Sequence, residues 1–119
     1  MESLLAEKFD SKVIHGDFYI PDHVFYDEDE QQLGVIDFAD VTIYDPAHDL
    51  QSIVEIGGDA FFETVMKHYK SEYDPALLKR SRMRLLARPL FVAGYIFANG
   101  YDHEYASRLA RIEEVFSKV

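Results

Sequence analysis

The chain has 119 residues, 48% of them hydrophobic and 14% aromatic, with a formal net charge of -10 and no cysteine. That length bounds it to one domain or a piece of one, and the apolar content suits a packed core rather than disorder. Without cysteine, disulfides, zinc thiolate sites and thiol nucleophiles are excluded, which fits a reducing, cytoplasmic compartment.

The charge is unevenly spread. The first sixty residues hold fifteen Asp and Glu against two Lys, whereas the remaining residues hold seven against ten Lys and Arg. Such an acidic half repels nucleic acid and anionic membranes and attracts cations, so no nucleic-acid or membrane partner is expected. No basic-then-apolar leader opens the sequence, and the expectation is a protein that is not secreted. The longest apolar run, residues 85–98, is broken by Arg88, Pro89 and Gly94. It is too short to span a bilayer and reads as a buried core helix.

In chain order, "ESLLAEKF" (2–9) predicts a short helix with Leu4, Leu5 and Phe9 on one face. "KVIH" (12–15) predicts a strand ending at Gly16. "HVFYD" (23–27) and "LGVID" (33–37) predict two strands of a hairpin, joined by the polar turn "EDEQQ". "DPAHDLQSIVEI" then starts a helix with Asp45 as N-cap and Pro46 in the first turn, and Gly57-Gly58 ends it. Phe61, Phe62, Val65, Met66 and Tyr69 follow helical spacing. A long helix from about residue 75 to 97 should kink at Pro89, where a backbone donor is missing. Tyr105, Leu109, Ile112 and Phe116 mark a last helix. The expected class is α+β and mainly helical: a small β-hairpin followed by a helical subdomain.

Hairpin geometry places the carboxylates. A five-residue strand runs roughly 16 Å out and the next returns the same distance. Asp22 precedes the outgoing strand and Asp37 ends the returning one, so both fall at one end, and Asp17 in the preceding loop can reach it. Gly16 beside them lets backbone approach a ligand closely. Converging carboxylates raise one another's pKa, a conflict that a bound Mg²⁺ removes because it takes carboxylate and phosphate oxygens together.

His15-Gly16-Asp17, then Asp37 within "GVIDFAD", then "DPAHDL" resemble the aminoglycoside phosphotransferase family, of the protein-kinase-like fold. The likeness covers about residues 13–50 and rests on three spaced motifs in the right order. It implies a kinase that moves the ATP γ-phosphate to a hydroxyl of a small acceptor, and a cationic acceptor would suit the acidic half. By that resemblance Asp17 is the catalytic acid-base residue, His15 braces its loop, Asp37 binds the Mg²⁺ on the nucleotide phosphates, and Asp49 holds the loop by hydrogen bonds. Asp40 reads as a solvated or capping carboxylate. The family's second metal ligand corresponds to Asp22 by strict count and to His23 when aligned on the strand "HVFYD"; both stay open.

The front of the chain departs from the family. Only fourteen residues precede His15, with no glycine among them, so the nucleotide lobe expected before the catalytic loop is absent. The expectation is one domain over residues 1–119, a partial kinase-like C-lobe. Such a fragment should be inactive alone and should contact its missing N-terminal lobe or pair as a homodimer. The alternative is a non-catalytic descendant that binds a cation or a protein.

Overall fold

The computed structural model describes residues 8–100 and, beyond them, residues 110, 113, 114 and 117. Most of the expected first helix, and the stripe Tyr105, Leu109, Ile112 and Phe116, lie outside the described residues; Lys8 and Phe9 are described and are not helical.

The order is β1 (Lys12–Ile14), β2 (Val24–Asp27), β3 (Gln32–Val35), a 3-10 turn (Phe38–Asp40), β4 (Thr42–Tyr44), α1 (Ala47–Met66) and α2 (Leu77–Ala98). The class is therefore α+β with a larger helical share. The strands form two antiparallel ribbons, not one sheet. β2 and β3 make the hairpin, with Val24 opposite Val35 and Asp27 opposite Gln32. Asp27 closes its turn by accepting the N–H groups of Asp29 and Glu30, each at 3.0 Å. Asp residues commonly form such local bonds in turns. β1 pairs with β4, Val13 opposite Ile43. The sequence does not predict β4.

Helix α1 departs from expectation at both ends. Pro46 occupies the cap position, and Asp45 caps from one residue earlier, its Oδ1 accepting the Ala47 N–H at 3.1 Å. Gly58 adopts φ 63, ψ −162 and breaks the helical path, as expected for the glycine pair, yet helical turns resume to Met66. A side chain at this φ would be strained.

The chain divides into two compact units, one ending at Arg82 and one beginning at Met83. In the first, the buried apolar residues include Ile14, Val24, Ala47, Leu50, Ile53, Phe62, Met66 and Leu77. They alternate with hydrogen-bonded polar groups. Arg80 is the chief of these: its Nε and Nη2 donate to the two oxygens of fully buried Asp45 at 3.0 and 3.2 Å. Its Nη1 and Nη2 donate to Asp74 at 2.7 and 2.8 Å. The guanidinium hydrogen bonds hold the Asp74 carboxyl below its ordinary value of 3.8, against the opposing effect of burial. Arg80 in turn is pushed up, first by Asp74 and then by Asp45. The Phe9 ring lies 5.9 Å from the guanidinium carbon.

In the second unit, Ala93 and Ile96 are buried, but Leu90, Phe91, Tyr95 and Phe97 are exposed, Phe91 at 77%. The run 85–98 is thus helical, as expected, but is not a buried core helix. Its apolar residues surround the helix, so no single face can bury them all. No helix among the described residues is long and apolar enough to cross a membrane.

Candidate active site

The site begins where β1 ends. Gly16 turns the chain with φ +88, and a Cβ there would collide with the main-chain carbonyl oxygen of Asp40. Both the dihedral and the close approach require glycine. The turn is pinned from the first turn of α1. Asp49 accepts the His15 N–H at 2.7 Å with Oδ2 and the Gly16 N–H at 3.0 Å with Oδ1. One residue earlier on the helix, the His48 ring donates through Nε2 to the Gly16 carbonyl at 2.9 Å. Further along, the Ile20 N–H donates to Ser52 Oγ at 3.0 Å. Hydrogen bonds to charged groups such as Asp49 contribute about 1.5–3 kcal/mol each.

His15 ties this turn to the hairpin. Its Nδ1 accepts the Asp17 N–H at 3.2 Å, so the proton sits on Nε2, which donates to the Ile36 carbonyl at 2.9 Å. The ring is buried and packs near Phe38, 4.7 Å between centroids. The His15 ring therefore has both nitrogens engaged.

His23 is placed just as firmly. Its N–H donates to the Tyr19 carbonyl at 2.8 Å, and its own carbonyl accepts the Ile36 N–H at 3.0 Å. The ring Nδ1 donates to the Asp17 main-chain carbonyl at 2.7 Å. That leaves Nε2 with a lone pair, 3.7 Å from Asp37 Oδ2. The Asp17 carbonyl raises the His23 pKa above 6.5 against the effect of burial, with Asp17, Asp37 and Asp22 adding their negative charges.

Asp37 follows β3 in the left-handed region, φ 63 and ψ 66. Asp tolerates that region better than most residues, though at a cost in strain. Asp17, His23 and Asp37 each offer one ligand atom, and all three atoms lie within 4.8 Å of one another. Asp17 and His23 are half-buried and Asp37 is exposed, so the trio is open to a ligand. Two carboxylates and an imidazole whose other nitrogen donates to a carbonyl form a donor set suited to a divalent cation.

The three-carboxylate cluster expected from hairpin geometry is not what forms. Asp22 lies outside the trio, exposed in the turn before β2. The turn closed by the His23 N–H on the Tyr19 carbonyl leaves His23 half-buried and Asp22 exposed. Asp40 is exposed and contributes its main-chain carbonyl against Gly16. The concavity lined by Lys8, Phe9, Asp10, Ser11 and Asp74 shares no residue with the trio.

Three contributors are not evident from the motifs: His48, Ser52 and Arg80. The first two carried a signal, because Ser52 lies four positions from His48 and three from Asp49, so the three can share one face of the helix. Arg80 carried none.

A small α+β lobe with this glycine turn, hairpin and buttressing helix is that of a kinase-like phosphotransferase. The chain belongs to the phosphotransferase enzyme family, whose sequence model matches residues 1–86. Among solved structures it is similar to macrolide 2'-phosphotransferase type I, with 24% identity and a TM-score of 0.75 over 93% of this chain and 39% of that one. The GDP complex of wild-type aminoglycoside 2'-phosphotransferase-IIIa aligns with 22% identity and a TM-score of 0.80, over 98% and 41%. The GDP and kanamycin complex of APH(2")-IIia aligns with 21% identity and a TM-score of 0.77, over 96% and 39%. At these identities the likeness shows the fold. The chain spans about two fifths of the length of these proteins. No curated protein matches the sequence.

Proposed function

We propose that this chain is the C-lobe of a small-molecule kinase, a single domain over residues 1–119 that moves the γ-phosphoryl group of a nucleoside triphosphate to an acceptor hydroxyl. The observation that carries the reading is the convergence of Asp17, His23 and Asp37 beside the glycine turn. In this reading Asp17 orients the acceptor hydroxyl and takes its proton, while His15 and Asp49 hold the turn that presents it. Asp37 and His23 hold the cation, Mg²⁺ in the simplest case, which when bound neutralises charge on the transferring phosphoryl group. Its partner is a nucleotide-binding lobe, which turnover requires; a second copy of the chain is the other candidate. ATP is the expected donor, and the GDP in two of the related structures makes GTP the natural comparison. The related proteins are named for macrolides and aminoglycosides, one of them with kanamycin bound, so these are the acceptor classes to try first.

The test is phosphoryl transfer to such a panel, read by the mass of the product, with the chain joined to a nucleotide lobe. Asp17→Ala should lower turnover by roughly 10²–10⁴-fold, the usual contribution of an acid-base group. Nucleotide affinity should stay nearly unchanged, because Asp17 acts on the acceptor. Wild-type turnover in Asp17→Ala would sink the assignment.

A further inference from the structure

The grip of Asp49 on the glycine turn stops one peptide short of Asp17. Asp49 accepts the N–H groups of His15 and Gly16, which belong to the two preceding peptides. The peptide that carries Asp17 itself, from the Gly16 carbonyl to the Asp17 N–H, is held by two imidazole rings instead. His48 Nε2 donates to that carbonyl at 2.9 Å, and His15 Nδ1 accepts that N–H at 3.2 Å. We propose that His48 is a positioning residue for phosphoryl transfer: its Nε2–H locks the plane of the Gly16–Asp17 peptide and so aims the Asp17 carboxylate. The proposal rests on the reading of Asp17 as the acid-base residue.

The need for such a lock comes from Gly16. A glycine at φ +88 sets few steric limits on the rotation of the peptide that follows it. Rotating that peptide moves the Asp17 nitrogen, and with it the tetrahedral frame from which the carboxylate projects. His15 resists only from the N–H side, and by the longer of the two bonds. A carbonyl accepts and never donates, so His48 carries its proton on Nε2. His48 is itself firmly held in the first turn of α1. Its N–H donates to the carbonyl of buried Asp45 at 3.0 Å, and its own carbonyl accepts Gln51 Nε2 at 2.7 Å. The Tyr44 ring meets the imidazole edge-on, 6.4 Å between centroids. A donor carried on a helix is placed more precisely than one carried on a loop.

Two substitutions separate the donor from the ring. His48→Gln brings an amide nitrogen near the place of Nε2 without the ring; His48→Phe keeps a ring beside Tyr44 without the donor. In the 119-residue chain, the residual dipolar coupling of the Asp17 N–H reads the orientation of the peptide plane. It should keep its wild-type value in His48→Gln and change in His48→Phe, while couplings along α1 stay constant in both. A second measurement needs no substitution: the ring ¹⁵N shifts of wild-type His48 should show the proton on Nε2, and a proton on Nδ1 alone overturns the proposal. With the chain joined to a nucleotide lobe, His48→Phe should lower kcat roughly 10-fold, the upper factor that one net hydrogen bond supplies. KM for the nucleotide should stay unchanged, and His48→Gln should stay near wild type. Loss in His48→Gln with retention in His48→Phe would make the ring the contributor and overturn the proposal, as would wild-type coupling and kcat in both. Full turnover in Asp17→Ala, or none in the wild type, is a different result. It removes the reading beneath the proposal, and the dipolar coupling alone then decides whether His48 sets the peptide plane.

Discussion

Up to Arg82, the structure is joined by polar contacts between residues far apart in the chain. His15 and Gly16 reach Asp49, His48 reaches Gly16, Ile20 reaches Ser52 and Arg80 reaches Asp45, each across 32 to 35 positions. Between Met83 and Gly100, hydrogen bonds such as that from Asn99 Nδ2 to the Tyr95 carbonyl are local to the helix end. Large apolar side chains there stand in solvent. The contrast separates two ways of using sequence. In the first region hydrogen bonds from single polar atoms position the turn, as chemistry at Asp17 would need. In the second, large apolar side chains supply exposed surface.

That contrast can be broken from either side. The largest effect should come from Arg80→Met, which removes the guanidinium from beside the buried Asp45 charge. Breaking a buried pair costs about 3–5 kcal/mol, measured as a fall in free energy of urea unfolding. A loss below about 1 kcal/mol, small beside that cost, would mean that the polar framework does not hold the first region. Asp49→Ala should come next. It strips the His15 and Gly16 N–H groups of their acceptor, for about 1.5–3 kcal/mol. Amide exchange at those two positions should quicken together, and unchanged exchange would show the turn to be held by something else.

Acid should sharpen the same comparison. The Asp74 carboxyl is held below 3.8 by Arg80, so the folded state binds fewer protons than the unfolded state in that range. Its stabilising effect is complete above the ordinary carboxylate value and is lost as pH falls through the lowered one. Urea midpoints of wild type should drop more steeply than those of Asp74→Asn once pH passes below about 4. Parallel curves would remove Asp74 from the framework. The smallest effect belongs to the second region: Phe91→Ser, at a site 77% exposed, should shift stability by no more than about 0.5 kcal/mol. A larger loss would show that this surface is covered in solution.

The legibility of the sequence follows the same division. The strands at 12–14, 24–27 and 32–35 and the helices from 47 and 77 are visible in the sequence because local pattern sets them. The glycine pair predicts a helix end, and Gly58 does break the path, but apolar spacing at Phe62 and Met66 is strong enough to restart it. β4 is invisible because three residues after a tight turn carry little periodicity. It forms because β1 offers an open edge. The hairpin argument brings Asp17 and Asp37 to one end, but it cannot choose between Asp22 and His23. That choice depends on which backbone groups close the turn at Tyr19, which spacing does not encode. Asp45 is readable as a cap but not as the partner of Arg80, since nothing local links positions 35 apart. The burial expected of 85–98 fails because apolar content alone does not say that a helix has something to pack against.

The backbone at Asp37 has a consequence for how this family member could change under selection. A left-handed φ is most comfortable for glycine, and the carboxylate at that position faces the rest of an acidic trio. Selection for thermal stability alone would favour Asp37→Gly or Asp37→Asn, relieving strain and repulsion together. Retaining aspartate there is disadvantageous unless its charge is used. Under the proposed function that cost is offset by the cation which Asp37 would hold, and a descendant that no longer used the cation would be free to lose the residue.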